Sequence, residues 1–200
     1  MNKVIRSVSM AAFAVGLMAV AAQAAAPAAP AAKGAFQRDL LGVYGDAEKK
    51  VIDLEEAMPQ NKFDWRPAPG VRSVAETYLH IAFGNYGLTK VATGKEPPAE
   101  AGWEMNPAKW DKKTTDKAEI KNILQKSFAY VHEAVGALPD ADLDKTVSFF
   151  GHSMTVRSVL IILSGHVNEH LGQSVAYARS NKITPPWSKN DKETMPSKKP

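Results

Sequence analysis

TVRSVLIILSGHVNEHLGQSVAYARS, residues 155–180, decides the fold. Val156, Val159, Leu160, Leu163, Val167, Leu171 and Val175 recur every three or four positions, which is the spacing of one helix face turned to a core, so a helix is predicted from about Thr155 to Ser180. The same stripe carries His166 and His170. Residues four apart share a helix face with Cβ atoms about 6 Å apart, close enough for two imidazoles to meet one divalent ion. Buried rings must find partners, because unpaired polar groups in an apolar core are costly.

Three further segments repeat the pattern. The first helix is expected over Phe36–Met58, with Leu40, Leu41, Val43, Tyr44, Val51 and Leu54 facing inward and Pro59 ending it. Ser73 and Glu76 form an S-x-x-E capping box, so the second helix starts there and runs to about Thr93. A stretch with Pro97, Pro98, Gly102 and Pro107 then makes a long crossover. The third helix starts at Thr115 or Asp116, buries Ile120, Ile123, Leu124, Phe128, Val131 and Val135, and stops before Pro139. A connector containing Phe149, Phe150 and Gly151 follows. No segment sustains period-two alternation. The fold class expected is all-α, a four-helix bundle with one long crossover, spanning residues 36–188.

The second predicted helix adds His80, on a stripe with Ser73, Thr77 and Gly84. Thr77 and Gly84 would leave space beside that ring, and Gly165 and Gly172 would do the same in the fourth helix. Three histidines from two helices make a tridentate site with an open position; the same residues also fit satisfied core histidines, and the pattern alone leaves both readings open. Glu76, one turn before His80, is the candidate base, fourth ligand or acceptor of the His80 ring N–H, although the capping box already explains it. Glu169 should point to solvent, His132 to a helix edge, and His152 is placed to line a pocket mouth.

The chain opens with Lys3 and Arg6, an apolar run from Val8 to Ala22, and Ala22-Gln23-Ala24, which together read as a cleavable signal peptide over residues 1–24. The run is shorter than the ~20 residues of a spanning helix, so no stable membrane insertion is expected after cleavage. Residues 25–35 read as an Ala/Pro spacer and 189–200 as a disordered polar tail. The expected location is periplasmic or secreted. With no cysteine, a soft thiolate site is excluded and any metal must rest on histidine and carboxylate. The net charge of +4 resides in the leader and the lysine-rich tail, so the body is formally neutral and lacks the clustered basic footprint of a nucleic-acid binder.

Two segments carry a resemblance. FDWRPAPGVRSVAETYLHIA (63–82) matches W-x-P-x-P-x-x-x-S-x-x-E-x-x-x-H-I, and HVNEHLGQSVAYARSNKITPPWS (166–188) matches H-x-x-x-H-x-G-Q followed by Y-x-R and Pro-Pro. In that order they resemble the DinB/YfiT-like metalloprotein superfamily. The resemblance implies a four-helix bundle holding one divalent metal ion, whether zinc, nickel or iron, through His80, His166 and His170. It also implies a small-molecule or thiol substrate for a metal-dependent transferase or hydrolase, with a non-catalytic metal-binding or stress-related module as the alternative; a homodimer stays open. Gln173 falls at the family's Gly-Gln step, one turn beyond His170, where it either supports a ligand or packs, packing being the favoured role. Two departures stand out: Asn181-Lys182 replaces the usual Asn-Gly helix end, where Asn181 tolerates the left-handed conformation that a helix C-cap needs, and Leu171 stands where a basic residue is common.

Overall fold

The computed structural model describes residues 34–188; the readings of the leader, of the spacer up to residue 33 and of the tail fall outside them. Four long helices form: α1 (Ala35–Ala57), α2 (Val74–Thr93), α4 (Lys117–Gly136) and α5 (Val156–Ser180). A four-residue helix α3 (Pro107–Trp110) interrupts the crossover, and a hairpin of β1 (Thr146–Phe149) and β2 (His152–Thr155) precedes α5.

The helix starts follow the capping chemistry in the sequence. At α2 the Ser73 hydroxyl accepts from the Glu76 backbone N–H at 3.2 Å while the Glu76 carboxylate accepts from the Ser73 N–H at 2.8 Å, so both halves of the box are made. Asp116 and Thr155 cap α4 and α5 by the first half of this arrangement alone, their side-chain oxygens accepting from the Glu119 and Ser158 backbone N–H groups. Gly94 ends α2 at φ 71, where a left-handed residue is required.

Each of α1 and α2 packs against both α4 and α5, which places α1 diagonally across the bundle from α2. Tyr44, Val51 and Leu54 of α1 meet Leu79 and Ile81 of α2, Phe128 and Val131 of α4, and Val159 and Leu163 of α5 in one fully buried core. A polar thread crosses it: the Tyr44 hydroxyl donates to Asn85 Oδ1 at 2.6 Å, and Asn85 Nδ2 donates to Ser127 Oγ at 2.9 Å, tying α1, α2 and α4 together.

Three expectations are corrected. Val43 is 59% exposed, at the edge of the α1 stripe in a shallow depression with Leu40 and Ile161. The 146–155 connector is a hairpin, whose four-residue strands are too short for alternation to show in the sequence. At the end of α5, Asn181 keeps φ −91 and Lys182 takes the left-handed φ of 64, so the position occupied by glycine in related chains is the strained one.

Candidate metal centre

α2 and α5 pack side by side and bring His80, His166 and His170 together, with one ligand atom from each ring within 4.8 Å of the others. The ring centroids lie 4.6–5.2 Å apart. Gly84 makes this approach feasible: a Cβ there would stand 2.2 Å from His166 Cε1. The space it opens is taken up by the His166 ring. Gly165 and Gly172, expected to widen the same site, instead face open surroundings where a Cβ would meet nothing within 4 Å.

Two of the rings are oriented by partners. His80 Nδ1 lies 3.2 Å from Asp111 Oδ1, and since a carboxylate only accepts, Nδ1–H donates and Nε2 is left to face the cluster. His170 Nδ1 lies 2.8 Å from Gln173 Oε1, which accepts because Gln173 Nε2 donates to the Tyr177 hydroxyl at 2.7 Å. Tyr177 passes its own proton to the Arg72 backbone oxygen at 3.0 Å, and the Arg72 guanidinium donates to Asp111 at 2.8 Å. Arg72 thus joins the chain behind His170 to the one behind His80. Gln173 is therefore a hydrogen-bonding support of His170, the less favoured of the two roles the sequence offered for it.

His166 has no such partner: its Nδ1 is buried without a hydrogen bond. Burial, with His170 and His80 beside it, pulls its pKa down to about 3, and burial likewise lowers His170. His166 and His170 held neutral by burial, His80 and His170 with one ring nitrogen engaged by a partner, and an orphaned nitrogen on His166 make the donor set a divalent ion requires, so the residues present fit one. Burial alone would raise Asp111, but the hydrogen bonds from His80 and Arg72 outweigh it and hold the carboxyl below its ordinary value.

Glu76 stands elsewhere. Its carboxylate is gripped by Arg66 at 2.9 and 3.1 Å and by the capping box, in the wall of a polar cavity that also includes Arg72, Asp111 and Gln173. The acceptor expected for the His80 ring N–H is supplied by Asp111. His132 pairs with Glu48 at 2.6 Å on the far side of Tyr44, His152 is exposed in β2, and Glu169 is exposed. Sequence reasoning missed Asp111 and Arg72. Asp111 arrives on the crossover, where the buried Trp110 donates its indole N–H to the Leu79 oxygen at 2.8 Å and so delivers the next residue to His80; no local spacing signals that contact.

Fold and site together define a four-helix bundle whose core carries a three-histidine group with the geometry to hold a metal ion. The chain belongs to the DinB superfamily, whose family model matches residues 46–174. A solved DinB-like protein from Bacillus cereus is similar in fold, with a TM-score of 0.61 at 20% identity over 74% of this chain and 95% of that one. No curated protein matches this chain.

Proposed function

We propose that the protein is an exported metal-dependent enzyme, with one divalent ion (zinc, nickel or iron) held by His80, His166 and His170 and a transfer or hydrolysis carried out on a small molecule, thiols included. The observation that carries this reading is the convergence of three histidines, two of them braced by Asp111 and Gln173, beside a cavity that also includes His80 and His166. An ion with three protein ligands keeps a coordination position free, polarises what occupies it and lowers the pKa of a water or thiol towards ~7.

The chain's own residues do the rest. Asp111 and Gln173 fix which nitrogen each ring presents, and Arg72 keeps Asp111 ionised and in place. Glu76 is the proposed base; to take a proton it must leave Arg66, whose guanidinium, with the Ser73 N–H, holds the carboxyl below its ordinary value against the effect of burial. Export rests on the basic, apolar and small-residue order of residues 1–24.

Metal analysis of protein purified without a polyhistidine tag should find one equivalent of metal, and the His166→Ala variant should lose it. Undiminished metal in that variant would overturn the ligand assignment. Turnover of thiol-conjugation or ester substrates that vanishes on chelation supports the enzyme; retained metal with no turnover would favour the non-catalytic module. A mature N-terminus near Ala25, found by mass spectrometry in the native host, would support export, and an intact Met1 in the cytosol would refute it.

A further inference from the structure

Beside the histidines lies a cavity of about 490 Å³, within the range of small-molecule sites. His80, His166, Arg72 and Ser148 are its polar lining; the rest is Gly84, Gly87 and apolar side chains of α2, the crossover, the hairpin and α5, among them Phe83, Val91, Phe149, Phe150 and Ile162. Phe83 stacks on the His80 ring at 5.9 Å with a 15° interplanar angle, so the apolar lining runs up to the candidate ligands themselves. Gly87 keeps the α2 side of the cavity low: a Cβ there would come within 3.1 Å of Trp103, the ring against which Phe83 leans.

Phe150 is the informative residue. It forms the hairpin turn with Gly151, and both residues are left-handed, at φ 48 and φ 81. Such a two-residue turn favours Asn-Gly, and a bulky residue at its first position costs about 1 kcal/mol or more. The strained residue is moreover 80% exposed and rests edge-on against Phe149 at 4.6 Å. Neither turn chemistry nor core packing accounts for an aromatic at this place. Its position in the lining of an apolar cavity does.

We propose that this cavity takes the apolar body of a small amphiphilic ligand, an aryl or short branched alkyl group clasped by Phe83, Val91, Phe149 and Phe150, with an uncharged or metal-seeking head directed at His80 and His166. This deepens the proposed function by naming a substrate class, and its head-group half rests on that reading; the apolar half does not. The cavity is concave and ends on polar side chains, which suits a compact molecule with one polar end.

The test therefore has two arms on the mature chain. In the first, the neutral fluorophore N-phenyl-1-naphthylamine is titrated into chelator-treated protein, so that no metal is needed. Wild type should bind it with enhanced fluorescence, and Val91→Glu and Phe150→Asn should each weaken binding by about fivefold or more. Phe150→Asn restores the residue the turn prefers, so an unchanged or higher Tm separates lost contact from lost fold. In the second arm, cobalt-loaded protein is titrated with benzohydroxamate and acetohydroxamate, which share a head and differ in the phenyl group. The aryl ligand should bind about tenfold tighter or better in wild type, and the difference should collapse in Phe150→Asn. Equal binding of the two hydroxamates with a clear cobalt spectral response would sink the apolar pocket and leave the metal reading intact. Failure to load cobalt, with fluorophore binding sensitive to Val91→Glu, would do the reverse. Exclusion of the fluorophore by a dimer that Phe150→Asn dissociates would assign the surface to a second copy and overturn the proposal.

Discussion

At the scale of single residues, the site turns on atoms that side-chain identity alone does not display. Gly84 and Gly165 are both glycines inside helices at the histidine cluster, yet only Gly84 is sterically required. Gly84→Ala should destabilise the fold by about 1–3 kcal/mol, since the new Cβ must displace the His166 ring, and should reduce metal stoichiometry; Gly165→Ala should be neutral or stabilising by up to ~1 kcal/mol. Thermal melts and metal analysis of the two variants check the contrast, and similar behaviour of both would contradict it. Glu55 is a second such residue. It is fully buried in α1, and neither carboxylate oxygen has a hydrogen-bond partner. Burial raises its pKa from the ordinary 4.5 to about 7, with Lys117 and Lys121 pulling the other way and Glu56 adding to the rise. The folded state therefore holds this proton more tightly than the unfolded chain. Its contribution is full below pH 4.5 and lost as pH rises to about 7, on the order of 2–3 kcal/mol in all. His166 has the opposite sign: its lowered pKa costs stability as pH falls from 6.5 towards 3. Urea midpoints at pH 5 and pH 8 should thus fall less, or rise, in Glu55→Gln than in wild type. The same pH slope in both proteins would show that Glu55 does not carry the effect.

At the scale of elements, α2, α4 and α5 begin where the sequence places side-chain caps, because capping is satisfied within four residues of chain. The end of α5 shows the limit of that reasoning. Asn181 and Lys182 are both compatible with a helix end on paper, but the chain reverses at Lys182, and it is the lysine that is left-handed. Lys182→Gly should therefore stabilise by about 0.5–1 kcal/mol, read as a raised Tm, and Asn181→Gly should not. A gain from the Asn181 variant alone would relocate the strain. The hairpin is the other element a one-dimensional reading misses. Four residues a side leave too little alternation to detect, and Phe-Gly is not a turn signal; the base of the hairpin is closed by the first two residues of α5, where the Val156 and Arg157 N–H groups donate to the Lys145 and Leu143 oxygens at 2.9 and 2.8 Å.

At the scale of the whole molecule, the four helices bury a continuous apolar core that is independent of any ion. The metal-free protein is accordingly expected to stay helical by circular dichroism, unlike a zinc finger, and saturating metal at about 1,000 times its Kd should add about 4 kcal/mol. His80→Ala should remain folded and lose most of that increment. Unfolding of this variant at room temperature with metal present would make His80 a structural core residue.

The sequence by itself determined the four long helices, the caps at the start of α2, α4 and α5, and the three histidines, because each depends on spacing within a few turns of one helix, or on motifs that keep their order along the chain. The family assignment followed from the same motifs. Tertiary structure alone decided that Asp111 supports His80, that Gly84 yields its volume to His166, that Arg72 joins the two supporting chains, and that Phe150 lines the apolar cavity. Each of those contacts joins residues separated by dozens of positions, or depends on a backbone angle, and so is fixed by how the helices cross and where the connections are laid down.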